Sequence, residues 1–278
     1  MFKLLWHELL SRRSAIIGWG LGLCFFPIVY VGLYPSFADQ LPNFQEMMDI
    51  PIYQALGISM ASFEGYMAST VNNLVPVILA IYAVSNGTGT LAGEEENGRL
   101  ELIAALPLPR WQIVLAKAVA LAVALFLILA IVSAGAALTM VFIQSQITAA
   151  VTPLDVFVSL LAAWPVVVAF GMISLFLAAF APSRRIAMAL ATVVVIGSFL
   201  GNNLAGMVES LESIKGLFLF SFYDASAEGL INGQEPVNLL ILLVVALVAL
   251  GLAVFFFSRR DLTVGVWPWQ RVRRPATA

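Results

Sequence analysis

The sequence predicts an all-α integral membrane protein with six transmembrane helices, and three observations carry that expectation. Of its 278 residues, 61% are hydrophobic and 11% are charged, whereas soluble domains average about 25% charged residues. Six apolar stretches are long enough to cross a hydrocarbon layer of ~30 Å. Of the fourteen Lys and Arg residues, all but Lys215 fall at the termini or in the second and fourth connections, on one side of a six-span chain. By the positive-inside rule that side is cytoplasmic, with both termini, in a multi-pass protein of the cell (inner or plasma) membrane. A different number of spans would scatter the basic residues over both faces.

Residues 1–13 predict an amphipathic interfacial helix. Phe2, Leu5, Trp6 and Leu9 recur at helical spacing, while Lys3, His7, Ser11 and Arg12 fall largely elsewhere. The first span is expected at about 14–34, with Pro27 inside it. Ser36-Phe37-Ala38 resembles a signal cleavage site, but the apolar run exceeds the ~7–15 residues of a secretory signal, which favours an uncleaved span. Pro35 to Ser69 carries three prolines and four acids, Asp39, Glu46, Asp49 and Glu64, and reads as an outer loop with one or two surface helices. The second span is expected at about 70–92. The third, about 112–143, is longer than the bilayer requires, so it tilts or projects.

The fourth span, about 154–181, contains Pro165. A tight Pro182-Ser183-Arg184-Arg185 turn separates it from the fifth, about 186–208. The loop that follows has an apolar centre at 216–223, too short to cross and expected to dip into the interface. The sixth span is expected at about 236–257. Residues 258–278 form a basic tail, whose Trp267, Trp269, Arg271, Arg273 and Arg274 suit anchorage to anionic lipid. The spans 14–257 thus form one transmembrane domain between an interfacial helix and a cytoplasmic tail.

Several functions find no support. No Asp, Glu, Lys, Arg or His stands near the middle of a predicted span, which argues against a proton relay or a selective ion path. There is no phosphate-binding Gly-x-x-x-x-Gly-Lys-Ser/Thr loop, so the chain is not expected to bind ATP itself. One histidine, His7, and one cysteine, Cys24, offer no usual metal-ligand cluster and no intrachain disulfide. Catalytic carboxylate pairs are not expected either, because the acids are placed in water on both sides. The chain is expected to be non-catalytic, with no cofactor and no nucleic-acid partner. Ser85 and Asn86 in span 2, and Asn202 and Asn203 in span 5, are candidates for a polar path; interhelical hydrogen bonding is the plainer role for each residue alone.

The densest charge lies between spans 2 and 3. Asn97 suits an N-cap, Pro107 stops a helix, and Pro109 suits the first turn of the next. Gly98 to Leu106 can therefore form a two-turn helix on the membrane surface. Leu100, Ile103 and Ala104 would form its apolar edge, with Arg99 and Glu101 pointing elsewhere, a shape that a groove on a soluble partner would accept. A solvated loop is the equally weighted alternative.

The run Gly93-Glu94-Glu95-Glu96-Asn97-Gly98-Arg99-Leu100-Glu101-Leu102, followed by Pro107, Pro109-Arg110 and Lys117, resembles the signature of ABC-2 type transporter permeases. The likeness extends to the basic N-terminal helix, the six spans, the acidic first outer loop and Phe222-Tyr223-Asp224…Gly233. It is nearest to antibiotic-exporter and copper-site-maturation permeases, and it departs from the family at Leu108 and Trp111. The resemblance implies an ABC-2 (type V exporter-like) permease fold and the membrane half of an ATP-driven exporter. Two permease chains, identical or paralogous, would pair above two ATPase subunits that bind ATP and Mg. Residues 98–106 would be the coupling helix, with Glu94, Glu95, Glu96, Gly98, Arg99, Leu100, Glu101, Ile103, Pro107 and Arg110 at the ATPase contact. Spans 2 and 5 would line the path, and Phe218, Phe220 and Phe222 an outer gate. The cargo would be amphipathic or hydrophobic: a drug, lipid or peptide. A secondary carrier or channel without an ATPase, and a non-transporting scaffold, are the alternatives.

Overall fold

The computed structural model describes residues 2–38, 62–98 and 109–259. Among these, six helices are long and apolar enough to cross a membrane: Arg13–Ser36, Phe63–Glu96, Arg110–Gln146, Pro153–Phe180, Arg184–Gly206 and Pro236–Arg259. No strand occurs among the described residues. The N-terminal helix, Phe2–Ser11, lies against span 3, as does span 1. The second half of span 4 is the centre of the bundle and packs against spans 2, 3, 5 and 6.

This centrality follows from residue size. Gly87 of span 2 meets span 4 so closely that a Cβ there would stand 2.7 Å from Ser174 Cβ and 2.9 Å from the Gly171 carbonyl oxygen. Small residues at such a crossing let helix backbones approach and gain dispersion contact, the main cohesive force between helices in lipid. In the most apolar stretch of span 4, 67% of residues are buried, against 22% in spans 5 and 6. Spans 5 and 6 therefore present most of their hydrocarbon outward, to lipid or to another chain.

Span 2 begins at Phe63, earlier than the expected Thr70. Ser62 caps it by accepting from the Gly65 N–H, and the buried Glu64 carboxylate accepts the Ala150 N–H at 2.6 Å. An acid read as a loop residue is thus a first-turn residue, favoured by the helix dipole and held by a backbone donor. Two π-turns interrupt this helix, at Ala68–Asn72 and Gly89–Gly93. The first ends at Asn72, whose carbonyl lies four residues before Pro76, the position that a proline cannot bond.

Span 1 also runs further than expected. Its helix continues through Pro35 to Phe37, so the outer loop is shorter at both ends than the prolines suggested. Span 4 is broken at Ala162 and Ala163 into Pro153–Leu161 and Trp164–Phe180. Pro165 restarts it from the first helical turn, where its missing N–H costs nothing.

Candidate functional site: an ion-pair joint and a seam between spans 2 and 5

At the Lys/Arg-rich end of the bundle, three elements converge on one ammonium group. Lys117, in the first turns of span 3, is fully buried. Its Nζ donates to Glu8 Oε1 at 2.7 Å and to both oxygens of Glu94, at 2.9 Å and 2.8 Å. Glu8 comes from the N-terminal helix and Glu94 from the end of span 2. Arg12 lies 3.8 Å from Glu8 and donates to Asn86 Oδ1 at 3.1 Å, and Asn86 in turn donates to the Tyr82 carbonyl. The links form a chain that leaves span 2 at Asn86 and returns to it at Glu94. Two acids and two bases balance, as buried charges must.

The sequence pattern of the N-terminal helix produces this arrangement. Phe2, Trp6 and Leu10 point outward, whereas Glu8 and, one turn on, Arg12 are buried. The face with aromatic character is left for the lipid interface and the face with Glu8 turns to protein. Glu8 was not singled out by sequence, because an acid on an amphipathic surface helix reads as solvated. The expectation that the acids sit in water is therefore corrected for Glu8 and Glu64. The available signal was the pairing of Glu8 with Arg12 at i, i+4.

The remaining acids of the charged run divide. Glu96 Oε1 accepts the Arg184 N–H at 2.8 Å, tying the end of span 2 to the start of span 5. Glu95 is partly exposed. Asn97 does not open a new helix: its Nδ2 donates back to the Gly93 carbonyl at 2.8 Å, and its backbone is not in the extended region that an N-cap requires. Gly98 follows with φ 70°, the left-handed residue that ends a helix. Asn97 and Gly98 thus close span 2. Pro109, φ −65° and ψ 140°, precedes Arg110, the first residue of span 3. Arg99, Leu100, Glu101, Ile103 and Pro107, with most of the expected 98–106 helix, lie outside the described residues.

The four polar-path candidates are not brought together. Asn86 belongs to the joint, and Ser85 lines an apolar groove of about 460 Å³ with Val77, Ile81, Thr192, Val195 and Ile196. Asn202 and Asn203 stand at the opposite end, in a polar cavity of about 460 Å³ shared with Asn73, Lys215, Asp224 and Asn238. All four nevertheless lie on spans 2 and 5.

The segment before span 6 folds as two short 3₁₀ pieces, Glu209–Leu217 and Leu219–Phe222. Phe220 is buried, with its ring 5.1 Å from Phe170 and 5.7 Å from Phe199, and its N–H donates to Ser198 Oγ. Phe218 covers Gly201, where a Cβ would fall 2.2 Å from the ring. Phe222 is half-buried. The buried Tyr223 hydroxyl donates to the Ser159 carbonyl at 3.4 Å; burial, then the Asp224 charge, push this phenol well above its ordinary value.

A family model described as ABC-2 family transporter protein matches residues 2–262. No curated protein is recognisably similar to the chain. The matched region takes in the joint, all six spans and the segment before the last, and the fold is all-α throughout its described residues. The chain belongs to the ABC-2 family of transporter proteins, and is a multi-pass membrane permease subunit of the kind that works with an ABC ATPase.

Proposed function

We propose that the chain is the permease of an ATP-driven exporter that moves an amphipathic or hydrophobic molecule out of the cytoplasm. The observation that carries this reading is the joint around Lys117. Glu94 stands at the root of the charged segment, and its carboxylate shares one buried ammonium with Glu8. A push on residues 98–106 from a soluble ATPase would therefore move span 2, span 3 and the N-terminal helix together, as a rigid-body tilt. The Lys/Arg-rich end would face the cytoplasm. Two permease chains and two ATPase subunits would assemble, with spans 2 and 5 lining the path and Phe218, Phe220 and Phe222 closing its far end. ATP and Mg would be held by the ATPase.

The test is purification from the native membrane followed by ATPase measurement. An ATP-hydrolysing subunit co-purifies, and Glu101→Lys preserves expression while abolishing cargo-stimulated hydrolysis and export. Unchanged stimulation and export in Glu101→Lys would overturn the coupling role.

A further inference from the structure

Three depressions run end to end along the seam between spans 2 and 5. The first, about 680 Å³ and open, is lined by Glu96, Arg184, Arg185, Met188, Ala189 and Thr192. It shares Met188 and Thr192 with the apolar groove, which shares Phe199 with the polar cavity at the far end. Polarity along the seam therefore runs from basic to hydrocarbon to polar.

We propose that this seam binds an amphiphile with an anionic, phosphate-type headgroup, held at Arg184 and Arg185 with its chain along spans 2 and 5. The proposal rests on the exporter reading and names the class of its cargo. Arg184 lies over the glycine face of span 2: a Cβ on Gly93 would stand 3.1 Å from its Cδ, and one on Gly89 3.3 Å from its Nη2. The two glycines let the arginine side chain lie close against span 2. Its Nε is buried without a hydrogen-bond acceptor, a donor left open beside a depression. Arg185 is exposed next to it.

Charge favours an anion. Glu96, the one carboxylate among the described residues that line the depression, already accepts the Arg184 backbone N–H. Glu94, two residues earlier, is held by Lys117. A planar guanidinium meets a phosphate through paired N–H donors, and the positive end of the span 5 helix dipole adds a potential of the same sign.

Length favours a chain-bearing ligand over a free anion. From Met188 to Leu200 the span 5 helix rises about 18 Å, close to one leaflet of a hydrocarbon layer of ~30 Å. Val77, Ile81, Val195 and Ile196 line that distance, with Ser85 and Thr192 supplying hydroxyls. Beyond it, Asn202, Asn203 and Lys215 offer the headgroup a second polar station, with Asp224 and Glu235 in the same wall.

The experiment uses the purified full chain without nucleotide, so it is independent of ATPase coupling. A dodecyl phosphate with a photoreactive diazirine at its chain end is compared with a dodecyl maltoside tagged in the same way. The phosphate probe is expected to label peptides carrying residues 77–85 and 188–200 roughly fivefold above the maltoside. Arg184→Gln with Arg185→Gln is expected to bring it down to the maltoside level. Thr192→Trp, which leaves both arginines, blocks labelling by filling the groove.

Excess inorganic phosphate is expected to leave labelling intact. Its displacement of the probe would reveal a headgroup-only site and overturn the amphiphile. Equal labelling by both probes, or by wild type and the arginine variant, would overturn the anion preference. Absent labelling, with Thr192→Cys in a Cys24→Ala background crosslinking two chains, would assign the seam to a second copy instead. Labelling is read without nucleotide or ATPase, which separates failure of this site from failure of coupling.

Discussion

A single ammonium decides how the Lys/Arg-rich end is held. Lys117→Met would leave Glu8 and Glu94 facing each other without a cation. Removing one partner of a buried ion pair costs about 3–5 kcal/mol, so the midpoint of thermal unfolding in detergent should fall by roughly 10 °C. Adding Glu8→Gln should recover part of that loss, and an unchanged midpoint would contradict the joint. Tyr223 gives a second residue-scale expectation. Its raised folded-state value means that its contribution is intact below about pH 10 and is lost as pH climbs further. Docking of the 216–223 segment, read by protease protection, should thus be level through neutral pH and weaken only in strong alkali.

Lys117 was legible in the sequence as a basic residue opening a span, but its partners were not. Glu8 and Glu94 are 109 and 23 residues away from it in the chain, and only the packing of the N-terminal helix on span 3 joins them.

Among elements, spans 2 and 4 meet closely at Gly87, where an added Cβ would stand 2.9 Å from the Gly171 carbonyl oxygen. Gly87→Ala would force the helices apart, because the new methyl meets the Gly171 carbonyl and not just a side chain that can rotate. Overpacking of this kind costs about 1–3 kcal/mol, and a lowered thermal midpoint is the expected result. Gly197→Ala, on span 5 with open space around it, should be neutral and serves as the control.

The six spans themselves were legible because hydrocarbon runs of that length have no other stable use in water. Their ends were less so. Glu64 and Pro35 both argue for a loop by composition, yet the first is satisfied by the Ala150 N–H and the second is tolerated within a helix. Asn97 misled for a related reason: the residues that begin helices also end them, and which role wins depends on a glycine beside them. The seam between spans 2 and 5 could not be read from Ser85, Asn86, Asn202 and Asn203 alone, since only the packing separates the joint from the far cavity.

For the whole molecule, the asymmetry of Lys and Arg sets the expected orientation. In a Cys24→Ala background, Thr148→Cys should react with an impermeant maleimide in intact cells and Ser258→Cys should not. The reverse pattern would invert the topology and remove the ATPase from reach of the charged segment. The hydrocarbon that spans 5 and 6 leave uncovered agrees with a chain that is completed by lipid, cargo or a second copy.

Every group in the Lys117 joint lies within the first 117 residues. The ribosome delivers Glu8, Arg12, Asn86 and Glu94 before it delivers the lysine, and spans 4 to 6 contribute nothing to the ring. At synthesis rates of about 5–20 residues per second, the joint can close several seconds before the last span emerges. The N-terminal helix then waits as a receptor for an otherwise uncompensated charge entering the membrane on span 3. The part of the molecule proposed to receive the stroke of an ATPase is also positioned to be the first part of the nascent chain to become rigid.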